Sequence, residues 1–168
     1  MTDFSLVGDI GGTNSRFGLV EQGSMAVRDM ESLKNDSFNS LEAAIQRYLR
    51  NRGIASLSAL AIAVAAPVDR ERITLTNRDW TFSAESLRAA AAAKRIRLLN
   101  DYEALALSLP HLQGDDLVQI GGQPSASPKL KIVIGPGTGL GMAALAPLPK
   151  GGWMALPCEP GHITLPTE

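Results

Sequence analysis

The stretch Leu6-Val7-Gly8-Asp9-Ile10-Gly11-Gly12-Thr13-Asn14-Ser15-Arg16-Phe17-Gly18-Leu19-Val20 decides how this chain is read. Two largely apolar runs, 4–10 and 16–20, lie on either side of Gly11-Gly12-Thr13-Asn14. Apolar runs set this tightly around a Gly-Gly turn predict an antiparallel hairpin rather than a strand feeding a helix. A phosphate tail must lie against backbone N–H groups, and glycines leave those groups bare. The Thr13 hydroxyl can donate to a phosphate oxygen. Asp9, at the strand end, can hold Mg²⁺ through water, which this ion gives up reluctantly. The same residues also read as a plain hairpin whose glycines serve the turn.

Working outward, a weaker third strand is expected over 25–33. A helix follows, because Leu41, Ala44, Ile45, Tyr48 and Leu49 form one stripe at helical spacing. Asn39 or Ser40 can cap its start and Gly53 can close its end. Ala59-Leu60-Ala61-Ile62-Ala63-Val64-Ala65 is almost unbroken apolar sequence and predicts a strand buried on both faces of a parallel sheet. Residues 84–93 predict a second helix capped by Ser83, residues 96–99 a short strand, and residues 102–109 a third helix stopped by Pro110. The order of three strands, helix, strand, helix, strand, helix predicts an α/β domain.

After Pro110 the texture changes. Residues 121–128 read as a loop. A strand over 130–134 runs into Gly135-Pro136-Gly137-Thr138-Gly139-Leu140-Gly141, and strands over 142–145 and 153–156 follow. The glycine spacing is not that of a dinucleotide-binding fingerprint, and no Lys follows as in a Walker loop. The segment does repeat the Gly-Thr chemistry of the first hairpin, so two such turns can grip a polyphosphate; a glycine-rich domain edge is the plainer reading. Asn100-Asp101 follows the short strand, where α/β sheets place their ligands. Asp101 can accept the proton of a sugar hydroxyl and Asn100 can bond a neighbouring one, but the pair also suits the start of a helix. Glu159-Pro160-Gly161-His162 sets a carboxylate and an imidazole on one turn, fit either for sugar hydroxyls or for a solvated surface; the pair is too small a ligand set for zinc.

Composition sets the bounds. The formal net charge of −1 gives no reason to expect nucleic acid or an anionic membrane as partner. The single cysteine, Cys158, excludes an internal disulfide and fits a reducing compartment. The N-terminus has no basic segment leading into an apolar one, and no apolar run approaches the roughly 18 residues of a membrane span. A cytoplasmic α/β protein is the expectation.

Taken together, these segments resemble the bacterial glucokinase family, within the sugar kinase, Hsp70 and actin superfamily. The residues from Leu6 to Arg16 are similar to its first phosphate motif, and Thr76-Asn77-Arg78-Asp79-Trp80 to its Thr-Asn-x-x-Trp segment. Leu99-Asn100-Asp101-Tyr102-Glu103-Ala104 resembles its catalytic-aspartate segment. Gly135 through Gly141 resembles its second phosphate motif, and Leu156-Pro157-Cys158-Glu159-Pro160-Gly161-His162 its sugar-gripping turn. The resemblance implies an actin-like ATPase (ribonuclease H-like) α/β domain with a mixed five-stranded sheet over 1–110. The beginning of a second such domain follows over 111–168. It implies ATP-dependent phosphorylation of glucose to glucose 6-phosphate. Asp101 is then the general base, with Asn100, Gly137, Glu159 and His162 as further sugar contacts. Asp9, Gly11, Gly12, Thr13, Asn14 and Thr138 serve ATP and Mg²⁺. Cys158 and Pro160 stand where many family members have glycine.

Other readings are a related hexose or amino-sugar kinase and a non-catalytic sugar-binding module. Family members are much longer than this chain. The 168 residues alone are therefore expected to lack kinase turnover and, through an exposed apolar face, to associate as a homo-oligomer, a dimer.

Overall fold

The computed structural model describes residues 3–75, 78–122, 130–136 and 140–158. The chain divides into two compact units, Met1–Asp101 and Tyr102–Glu168.

The first unit begins with β1 (Phe4–Ile10), β2 (Asn14–Glu21) and β3 (Val27–Lys34), an antiparallel meander. Then come α1 (Leu41–Arg50), β4 (Ala59–Val64), a two-residue hairpin of β5 (Ile73–Thr74) and β6 (Thr81–Phe82), α2 (Ala84–Ala90) and β7 (Ile96–Asn100). The five main strands form one sheet in the order β3-β2-β1-β4-β7, with β4 parallel to both β1 and β7. This is the mixed five-stranded sheet that the family resemblance implied.

One face of the sheet makes the core. Leu6 and Ile10 of β1, Phe17 and Leu19 of β2, and Leu60, Ile62 and Val64 of β4 are all buried there, in the cluster that also takes in the stripe Leu41, Ala44, Ile45, Tyr48 and Leu49 of α1. Burying each large aliphatic side chain is worth about 1.5–3 kcal/mol, so this face supplies most of the stabilisation of the unit. The helix ends are set by short polar side chains. Ser40 Oγ accepts the Ala43 N–H at 3.2 Å, so Ser40 and not Asn39 is the cap of α1. Ser83 and Ser86 form a reciprocal capping box at α2, and Ser86 Oγ also donates to Glu42 Oε1 at 2.6 Å, tying α2 to α1.

One expectation changes. Only alternate residues of β4 are buried, and Ala59, Ala61 and Ala63 on its second face are half-buried. A small apolar side chain is compatible with either condition, so an alanine run does not reveal that just one face carries the core.

In the second unit, α3 (Asp101–Ser108) leads to β8 (Lys131–Pro136), β9 (Leu140–Pro147) and β10 (Trp153–Cys158), which pair antiparallel in the order β10-β9-β8. Ala106 of α3 packs with Ala143 and Leu145 of β9, flanked by Tyr102, Val133, Trp153 and Ala155. The opposite sheet face carries Ile132, Ala144 and Leu156 in one cross-strand row. Ile132 is 52% and Leu156 39% exposed.

A buried phenol pins the edge strand of the first unit. Tyr48 Oη donates to the Asp29 carbonyl at 2.8 Å, and Arg52 Nη2 donates to the same oxygen at 3.0 Å while its guanidinium lies 3.8 Å over the Tyr48 ring. Asp29 has a positive φ of 54°, in a strand whose register shifts opposite Phe17 and Leu19. Burial raises the Tyr48 phenol above its ordinary value of about 10; Arg52 opposes the rise, and Asp29 and Glu31 add to it. Because the folded value is the higher one, this stabilisation is complete below pH of about 10 and is lost as pH rises through the folded value. Tyr48→Phe is expected to cost about 1 kcal/mol near neutrality and to flatten the decline in stability above pH of about 10. Denaturant melts across that range measure both effects, and an unchanged alkaline slope would remove Tyr48 as its source.

Candidate active site

The β1–β2 turn sits at the carboxyl end of β1. Ile10 pairs with Ser15, closing the ladder around Gly11-Gly12-Thr13-Asn14. The Gly11 N–H donates to the Asn14 carbonyl at 3.0 Å, so this donor is spent inside the turn. Among the described residues, the N–H groups of Gly12 and Thr13 have no backbone acceptor, and Thr13 is exposed.

Three side chains surround the turn. Asp9 is exposed and its Oδ2 accepts from Arg16 Nη1 at 3.0 Å. Asn35, directly after β3, is fully buried; its Nδ2 donates to the Gly11 carbonyl at 2.8 Å and the Gly12 carbonyl at 3.2 Å, while its Oδ1 accepts from buried Ser15 Oγ at 2.7 Å. Arg78, on the β5–β6 hairpin, donates from Nε to the Gly12 carbonyl at 3.4 Å, pairs with Asp36 and lies 5.1 Å over the Trp80 ring. Thr76 and Asn77 of the same segment lie outside the described residues.

The parallel register brings the second group of residues to the same sheet edge. Ile10 pairs with Val64, and Val64 pairs with Asn100. Neighbouring strands are about 4.8 Å apart, so Gly11 and Asp101, each one residue past this row, leave the sheet two strands apart, about 10 Å in backbone terms. Asn100 Nδ2 donates to the Ala66 carbonyl at 3.4 Å, and Asp101 is the first residue of α3. This is the carboxyl edge at which open α/β sheets bind ligands.

The second glycine-rich segment is also a hairpin, with β8 and β9 paired up to Pro136 and Leu140. Gly137, Thr138 and Gly139 lie outside the described residues, as do Glu159, Pro160, Gly161 and His162. Two glycines of this segment have a packing role that the sequence did not reveal. Gly135 and Gly141 face each other across the strands, the Tyr102 hydroxyl donates to the Gly135 carbonyl at 2.9 Å, and a Cβ at either glycine would collide with the Tyr102 ring.

Sequence reasoning assigned no role to Asn35, Arg78 or Tyr102. For Asn35 the available signal was a polar residue at the end of an edge strand, which by itself reads as turn chemistry. For Tyr102 it was an aromatic next to Asp101 together with two glycines one hairpin apart.

A family profile described as Glucokinase matches residues 6–168. A glucokinase of Marinobacter nauticus is 41% identical over 166 residues, covering 98% of this chain and 51% of the relative. The crystal structure of a glucokinase from an Antarctic psychrotroph superposes with a TM-score of 0.84 at 30% identity, over all of this chain and 53% of that one. A glucokinase from Balamuthia mandrillaris in complex with glucose shares the fold with a TM-score of 0.70 at 21% identity, over 98% of this chain and 50% of that one. The chain thus spans about half the length of the relatives it matches.

Gly141→Ala is expected to displace the Tyr102 ring and destabilise the β8–β9 hairpin by about 1–3 kcal/mol. Tyr102→Phe loses one hydrogen bond and is expected to cost about 1 kcal/mol. Amide exchange in β8 and β9 measures both; full protection in Gly141→Ala would show that the ring does not depend on that glycine.

Proposed function

The chain belongs to the glucokinase family, and from that premise we propose that its complete gene product transfers the γ-phosphate of ATP to glucose, giving ADP and glucose 6-phosphate. The observation that carries the reading is the paired row Ile10, Val64 and Asn100, which puts the glycine turn and Asp101 on one sheet edge.

Each group then has a task. The Gly12 and Thr13 N–H groups and the Thr13 hydroxyl receive phosphate oxygens, with Asn14 beside them and Thr138 contributing from the second hairpin. Asp101 accepts the proton of the attacking sugar hydroxyl as that oxygen bonds to the γ-phosphorus and the bond to the ADP oxygen breaks. Asn100, Gly137, Glu159 and His162 orient the sugar through its hydroxyls. Phosphoryl transfer asks mainly for positioning and charge neutralisation, which this set of residues is suited to supply. Asp9 fits Mg²⁺, since one exposed carboxylate with phosphate oxygens and water is an ordinary donor set for this ion. When bound, Mg²⁺ neutralises charge building on the phosphates.

In the complete gene product, Asp101→Ala is expected to lower kcat by about 10²–10⁴-fold while glucose affinity changes far less. Near-normal turnover would leave Asp101 as a helix-start residue only. In the same assay kcat/KM for glucose should exceed that for mannose, because a site built around particular hydroxyls leaves polar groups unpaired with the wrong epimer. Equal values would favour a broader hexose kinase.

The proposal extends to a cytoplasmic enzyme acting as a homodimer. Among the described residues, no helix is long and apolar enough to cross a membrane. The row Ile132, Ala144 and Leu156 is an apolar face of the kind that association covers. Self-association through this face is the expected outcome. Light scattering decides, and a monodisperse monomer would refute it.

A further inference from the structure

We infer that Asn35, braced by Ser15, is a positioning residue for the nucleotide phosphates: it turns the Gly11 and Gly12 carbonyls inward so that the Gly12 and Thr13 N–H groups face the ligand. The inference rests on the reading of this turn as a phosphate site.

The chemistry of the turn requires such a device. A glycine pair has a wide choice of backbone conformations, and many of them would point a carbonyl oxygen at the phosphate. Carbonyl and phosphate oxygens repel, so a site for phosphate must also remove the carbonyls. Asn35 does this with one amide. Its Nδ2 has two hydrogens, and they go to the two successive carbonyls at 2.8 and 3.2 Å. Its orientation is not left to chance, because Ser15 Oγ donates to Oδ1 at 2.7 Å and thereby fixes which end of the amide is the donor. The backbone joins in, with the Asn35 N–H donating to the Thr13 carbonyl at 2.9 Å. Three consecutive carbonyls, of Gly11, Gly12 and Thr13, are therefore held by one residue from β3's end.

Burial makes the arrangement stiff. Asn35 and Ser15 are both fully buried. A buried amide is tolerated only when its hydrogen bonds are made, so an alternative rotamer is disfavoured by the full cost of the unmade bonds. The arrangement leaves Asn35 beneath the turn, on its carbonyl side, so it acts through the backbone and not by touching substrate.

The test uses the complete gene product, labelled with ¹⁵N at glycine and threonine, and Mg·ATP as the probe. In the wild type, Mg·ATP should shift the Gly12 and Thr13 amide resonances. If those resonances do not move, the phosphate reading of the turn is wrong and this inference falls with it. If they do move, Asn35→Ala should raise KM for ATP about tenfold, with smaller ATP-induced shifts and with KM for glucose unchanged. A purely structural role would lower the active fraction, and so kcat, without moving KM for ATP. A folded Asn35→Ala protein with wild-type KM for ATP and wild-type shifts would therefore overturn the inference while leaving the phosphate reading intact. Asn35→Asp is the second variant, because it keeps the volume and the Ser15 bond but loses both amide donors. It should raise KM for ATP at least as much, and a wild-type value there also overturns the inference. If neither variant folds, Ser15→Ala decides: a rise of about threefold in KM for ATP supports the brace, and no rise refutes it.

Discussion

Ile10 is paired on both sides, antiparallel with Ser15 and parallel with Val64, and this double register governs the rest of the first unit. It fixes where β1 stops and hence where the glycine turn begins. Through Val64 it also fixes the height of Asn100 in the sheet. A slip of one residue would turn Leu6 and Ile10 out of the core and Asp9 into it, so the hydrophobic pattern enforces the register strongly. The site is thereby tied to the core: the same pairings that bury Leu6, Ile62 and Phe17 deliver the turn and the Asn100-Asp101 pair to one edge.

The first unit treats its polar groups economically. The side-chain hydrogen bonds to the carbonyls of the turn come from Asn35 and Arg78, each from a different part of the chain, and Ser15 braces Asn35. Arg78 pairs with Asp36, next to Asn35, so the β5–β6 hairpin reaches the segment that follows β3. The turn is thus held on its carbonyl side by groups distant in sequence, which restricts the backbone freedom of its glycine pair.

In the second unit, an aromatic ring against paired glycines plays the comparable part. Tyr102 lies against Gly135 and Gly141, and its hydroxyl holds the Gly135 carbonyl. The glycines that sequence reasoning would credit to phosphate approach are thus also needed for ring packing. Close contact between a ring and two strand backbones leaves no room for a methyl group, which is a steric demand independent of any ligand.

The sequence was enough for the five main strands of the first unit and for the apolar stripe of α1, but not for the β5–β6 hairpin and the core residues it carries. The stripe from Leu41 to Leu49 was legible because helical periodicity and burial are the same fact seen twice. The β1–β2 hairpin was legible because a Gly-Gly turn between apolar runs has few alternatives, and the motifs around Asp9, Asn100-Asp101 and Gly135 carried the family. Tertiary structure alone decided three further things. It showed that the alanines of β4 stay half-buried, because alanine is too small for its pattern to report which face is covered. It showed that Ser40, not Asn39, caps α1, since both types cap well and only backbone geometry chooses between them. And it brought Asn35 beneath Gly11 and Gly12, 24 and 23 positions away in the chain, because hydrogen bonds between distant residues depend on the sheet register and leave no periodic trace in the sequence.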